Sequence, residues 1–145
     1  MKIKLFYFFL IVFIVGGCSQ QKSSKIEGAW KLVYVIGIDG NKPYYSFPGT
    51  DTTEGQIKIW SKDQFSLVGI LKYDTLHSDS FGAGPYKLTG NLLEETILYH
   101  SWKDFVGKTL KSTIEIKNDT LIQTILDENG KFNKSSYWLE KYVRL

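Results

Sequence analysis

The chain has 145 residues, with 18 Lys and Arg against 15 Asp and Glu, two histidines and one cysteine. That length suits one domain around one core. One cysteine excludes an internal disulfide, and so small a charge excess leaves no electrostatic footprint for nucleic acid. Lys2 and Lys4 open the chain and are followed by an unbroken apolar run over residues 5–15. A bilayer span needs about 20 apolar residues, so this run has the length of a secretion-signal core instead.

Gly16 and Gly17 then lead into Cys18. The stretch 15–18 resembles a bacterial lipobox, which is cut before a cysteine whose thiol is then acylated. Small residues let the backbone enter a narrow protease site, and acylation consumes a thiol that would otherwise be an exposed liability. The expectation is a signal peptide over 1–17, cut between Gly17 and Cys18, with acyl chains on Cys18 making the membrane the first partner. Without Lys2 and Lys4, 16 basic residues face 15 acids, so the mature chain 18–145 is close to neutral. Residues 18–25 are polar and read as a flexible tether, and 26–145 as the folded domain. Ser19 stands where an Asp retains lipoproteins at the inner membrane in enteric-type bacteria. This favours an extracytoplasmic, lipid-anchored place in the cell envelope, at the outer membrane.

The rest reads as strands. Residues 28–36 alternate, with Trp30, Leu32, Tyr34 and Ile36 on one face. Turn residues follow at 39–43, then a long loop to Gly55 carrying Tyr44, Tyr45 and Phe47. Strand 56–60 has Ile57 and Ile59 on one face. Strand 64–71 pairs with it and aligns Phe65, Leu67, Gly69 and Leu71. A polar loop covers 73–82. Strands 84–89 and 92–100 surround the turn Gly90-Asn91; Tyr86 and Leu88 share one face, and Leu93, Glu95, Ile97 and Tyr99 another. Residues 101–108 form a connection with one helical turn. Strands 109–117, 120–126 and 137–143 close the chain. Short polar turns imply antiparallel neighbours, and the serial hairpins favour an all-β, antiparallel up-and-down barrel of about eight strands over a sandwich with crossing connections.

The opening Gly28-Ala29-Trp30 resembles the Gly-x-Trp mark of the lipocalin superfamily. The resemblance implies a calycin-type barrel in which Trp30 packs across the closed end beneath a basic side chain from the last strand, for which Lys141 and Arg144 are both in place. The domain is similar, more narrowly, to the small lipocalin-like domains of bacterial lipoproteins. Its Gly-x-Trp-Lys-Leu-Val opening (28–33), Tyr-x-Leu-x-Gly-Asn turn (86–91), Glu-x-Ile-x-Tyr strand (95–99), Gly-Lys-Thr stretch (107–109), Asp-Thr-Leu hairpin (119–121) and closing Trp138 carry the likeness over 26–145.

Catalytic and metal signals are thin. His77 lies between Asp74 and Asp79 but has no second histidine or familiar ligand spacing, so these read as solvated loop residues. His100, Ser101 and Asp104 lack a nucleophile elbow, and His100 reads as a rim residue. Neither metal nor cofactor is implied, and the chain is not read as an enzyme. Glu95 and Ser112 share faces with large apolar residues; inward, they would need partners. The neighbouring Glu94 leaves the phase open, and a bulge turning Glu95 outward is the preferred reading. Gly69 and Ser112 leave space inside if they face each other.

An eight-stranded barrel is near the size where side chains fill the interior or leave room for one small ligand. The expectation is a shallow cavity at the open mouth, roofed by Tyr44, Tyr45 and Phe47 and walled by Phe65, Leu67, Tyr86 and Tyr99. It would bind a small apolar or amphipathic ligand. The alternative is an envelope scaffold or protein-interaction module with a packed interior. Oligomeric state is open.

Overall fold

The computed structural model describes residues 25–47, 54–73 and 76–145; the side chains of Tyr45, Lys72, Tyr73, Leu76, His77 and Ser78 lie outside that description. The signal, Gly17, Cys18 and most of the tether fall outside it too. The strands are β1 (Gly28–Asp39), β2 (Lys42–Phe47), β3 (Gly55–Ser61), β4 (Gln64–Tyr73), β5 (Leu76–Thr89), β6 (Leu92–Thr96), β7 (Tyr99–His100), β8 (Thr109–Lys117), β9 (Thr120–Ile125) and β10 (Tyr137–Arg144). A single 3-10 turn, Lys103–Phe105, precedes β8.

These elements make a closed antiparallel barrel with eight staves. Around it the order is β1, β3, β4, β5, β6, β8, β9 and β10, and β10 pairs back onto β1 over Trp30–Ile38. Closure leaves no long open edge. The two extra strands extend staves: β2 pairs with the second half of β1, on the edge whose first half β3 occupies. β7 pairs with β5 next to β6, so β6 and β7 are one stave with a break. At the break the Thr96 carbonyl lies where a side chain on Gly84 would begin, and Ile97 turns into the core. Only glycine at position 84 permits that approach.

Three expectations are corrected here. The register slips between Leu32 and Tyr34, so inward phase passes to Val35 and Tyr34 points out. Such a bulge exchanges the faces of everything after it. Residues 76–82 are strand rather than loop: Asp79, Ser80, Phe81 and Gly82 pair with Ile70, Gly69, Val68 and Leu67. Finally, 42–47 is strand rather than loop, and Phe47 packs in the core opposite Val35 instead of roofing the mouth.

The closed end is built on Trp30, which is fully buried. Its indole Nε1 donates to the Ile26 carbonyl at 2.8 Å. The Arg144 guanidinium lies 4.1 Å from the ring centroid and donates to the carbonyls of Glu27 (2.9 Å) and Lys25 (2.8 Å). Arg144 thus covers the ring and ties down the incoming chain, a planar fork doing what an ammonium could not. Lys141 is exposed. Gly28 has φ +131°, and a Cβ there would sit 2.7 Å from Arg144 Nη1, so both backbone and space demand glycine.

Candidate functional site: a half-polar cavity in the barrel

On β3, Gln56, Lys58 and Trp60 point inward, and Ile57 and Ile59 face out. Their neighbours on β4 repeat the inversion: Val68, opposite Ile57, is 63% exposed. Trp60 explains the choice, because a large aromatic gains most from burial and strand alternation carries Lys58 in with it.

Lys58 is 4% exposed and meets Glu95, 2% exposed, at 2.8 Å. Glu95 therefore points inward, against the preferred reading. Its Oε1 accepts from Trp60 Nε1 at 2.9 Å, and its Oε2 accepts from both Lys58 Nζ and Gln123 Nε2 (3.1 Å). Gln123 Oε1 takes a second Lys58 proton at 3.1 Å, and its Nε2 also reaches Ser112 Oγ at 3.0 Å. Five side chains from β3, β6, β8 and β9 thus close one network, with the Lys58 ammonium also 4.7 Å from the Trp60 ring centroid and 5.3 Å from that of Phe65. A buried pair survives only when its remaining valences are met in this way.

A second carboxylate lies on β10. Glu140 accepts from Trp138 Nε1 at 2.9 Å and from the Tyr142 hydroxyl at 2.6 Å. Burial, reinforced by Glu140, raises the Tyr142 hydroxyl well above its ordinary value, so it stays a donor.

Above the Lys58–Glu95 network the barrel is hollow. The cavity holds about 710 Å³, with walls that include Phe65, Leu67, Leu71, Ile97, Leu110 and Ile125. The mouth carries Tyr44 and Trp138, their rings 6.2 Å apart, on the β2 and β10 side. On the β5 and β7 side stand His100 and Phe105, 4.9 Å apart, with Trp102 at 5.8 Å from Phe105. The strand order places these two aromatic groups on opposite sides of the opening. His100 Nδ1 accepts the Trp102 backbone N–H at 2.9 Å, which leaves the proton on Nε2. Burial pushes this imidazole below its ordinary value, and the charge of Lys58 acts in the same direction.

Of the residues expected at a ligand site, Tyr44, Phe65 and Leu67 line this cavity. Phe47 lies in the core beside it, and Tyr86 packs against the core without lining the cavity. Tyr99 is 68% exposed and points outward. The Tyr45 side chain lies outside the described residues, as do Asp74 and the side chains of His77 and Ser78. The cavity reaches from mouth to ion pair and is not shallow. Gly69 adds no space, because the Gly55 carbonyl already occupies the place of its side chain. Among the described residues no group of three or more His, Cys, Asp or Glu could hold a metal, and Asp104 is exposed beyond any triad with His100.

No family model matches the chain, and no curated protein matches it. A solved structure does: the crystal structure of a lipocalin-like protein from Bacteroides uniformis superposes with a TM-score of 0.51 at 13% identity. The match covers 84% of this chain and 100% of that one. The fold is lipocalin-like. In a barrel of this kind the Trp30–Arg144 plug marks the closed end and the aromatic ring at Tyr44, Trp102, Phe105 and Trp138 the open one. Lys58, Gln56, Gln123 and Glu140 went unread in the sequence; the signal was there in their strand parity with Trp60, Leu121 and Tyr142.

Proposed function

We propose that this chain is a lipid-anchored, extracytoplasmic, non-catalytic binding protein that holds a small amphipathic molecule inside its barrel. The observation that carries this reading is the cavity itself, about 710 Å³ with apolar walls and a few fixed polar groups. Ligand sites share that volume and that mixture. A scaffold would gain nothing from leaving such a space unfilled, since tight packing is what stabilises a core.

The test is gentle extraction of the protein from its native host, followed by native mass measurement for a bound species and titration with an apolar fluorescent probe. Saturable binding is expected, weakened at least about tenfold by Ile97→Trp, which fills the cavity from its wall. No bound species, together with probe binding unaffected by Ile97→Trp, removes the reading. The anchor rests on the resemblance at 15–18 and is tested separately: Cys18→Ser is expected to abolish acyl labelling and membrane retention. A wild-type N-terminus without acyl mass refutes it.

A further inference from the structure

The charges around the cavity are unequal. The lining holds one ammonium, Lys58, against three carboxylates, Asp79, Glu95 and Glu140. Glu95 already neutralises Lys58 at 2.8 Å, deep in the barrel. Glu140 is held by two neutral donors, Trp138 and Tyr142, and no described Lys or Arg pairs with it. Both its oxygens accept hydrogen bonds. Asp79 adds a further negative charge at the rim. An entering anion therefore finds its natural partner in the lining already taken.

The uncompensated acceptors lie towards the mouth. Gln56 precedes Lys58 on a strand that runs from mouth to closed end. It is 7% exposed and gives its Nε2 to Ser80 at 3.0 Å. Its Oε1 is buried and has no partner, in a residue that lines the cavity. A buried carbonyl left so is destabilising until something supplies positive charge or a donor. Gln56 on β3 and Glu140 on β10 flank β1, and Tyr44 and Trp138 stand over the same corner, 6.2 Å apart. Aromatic faces and acceptor oxygens around a space whose one lining ammonium, Lys58, is already paired with Glu95 are the surroundings that stabilise an organic ammonium.

We propose that the cavity selects an amphiphile with a cationic head, an amine or quaternary ammonium, seated between Tyr44, Trp138, Glu140 and Gln56, with its apolar body against Phe65, Leu67 and Ile97. This rests on the binding reading above, and the test separates the two. The full chain, in a neutral maltoside detergent, is titrated with decyltrimethylammonium, decanol and decanoate. Indole fluorescence and calorimetry follow binding, with the Ile97→Trp chain as the blank for detergent partitioning.

Decyltrimethylammonium is expected to bind at least about tenfold more tightly than decanoate, and Glu140→Gln to remove most of that preference. Decanoate binding as tightly as the ammonium overturns the head-group assignment and leaves the cavity reading standing. Failure of all three probes, decanol included, overturns both. If near-ultraviolet circular dichroism shows Glu140→Gln unfolded, the decision passes to Asp79→Asn, an exposed position, and to added salt. Each must then shrink the ammonium preference about twofold or more, and a preference unmoved by both overturns the proposal.

Discussion

The two ends of the barrel are held by opposite means. At the closed end an apolar ring, Trp30, is sealed by a cation from above and a backbone carbonyl from below, and every partner lies in the first few or last few described residues. In the lumen a cation, Lys58, is held by side chains 37 and 65 residues away in sequence. One region joins the two ends of the domain, with Arg144 lying 117 and 119 residues from its carbonyl partners, and stabilises by burial. The other is a polar network whose members are costly unless all are present. The lesson is that fold and function are written in different parts of this chain: the plug closes the barrel, and the network keeps its interior from collapsing into a purely apolar core.

The plug should show the largest effect. Trp30→Ala is expected to cost about 3–5 kcal/mol through the cavity it leaves, with about 0.5–2 kcal/mol more from the stranded Arg144. Chemical denaturation measures it. Arg144→Ala should destabilise measurably and Lys141→Ala should not, because only Arg144 touches Trp30 and the entering chain. Equal effects from the two basic residues would dissolve the distinction between the ends.

Breaking the lumen network should come next. Lys58→Met leaves Glu95 charged, buried and unpaired, a loss of about 3–5 kcal/mol. Adding Glu95→Gln removes the orphan charge and keeps an acceptor for the Trp60 indole, so the double variant should recover most of the loss. If both single and double variants are equally unstable, the pair is not what holds these strands in register.

The closed end was readable and the lumen was not, for a physical reason. Gly28 and Trp30 belong to one short sequence motif, the last strand offered Lys141 and Arg144 as its basic partner, and the serial hairpins announced the meander of strands. Periodicity, however, presumes that the inner face is the apolar one. β3 breaks that presumption, with Lys58 and Gln56 inside and Ile57 and Ile59 outside. β5 breaks it differently: Ser80, Gly82 and Gly84 point inward, opposite Gly69, Leu67 and Phe65, and Phe81 faces out at 47% exposure. A strand whose inner face is serine and glycine carries no apolar alternation and so resembles a loop. The slip between Leu32 and Tyr34 has no local marker in the sequence at all; it follows from the pairing of β1 with β10. The same polar inner faces that hide the strands from a periodicity argument give the cavity its polar groups.

The smallest expected effect lies at the mouth, where His100 joins the two ends of the comparison: it is anchored locally by Trp102 yet feels the distant Lys58. Its folded-state value lies below the ordinary 6.5 because burial penalises the imidazolium and Lys58 repels it. The unfolded chain therefore takes up the proton first as pH falls. By linkage, stability is unaffected by this group well above pH 6.5 and declines as pH is lowered through 6.5 towards the folded-state value. His100→Gln cannot titrate, so the variant should lose less stability than wild type between pH 7.5 and pH 5.5. Thermal unfolding at the two pH values measures the difference, and imidazole proton resonances give the titration directly. A wild-type decline matched by the variant would assign the acid sensitivity to the carboxylates instead. A His100 titration at the ordinary 6.5 would mean that the ring is solvated, and that the aromatic side of the mouth stands more open than its packing against Phe105 implies.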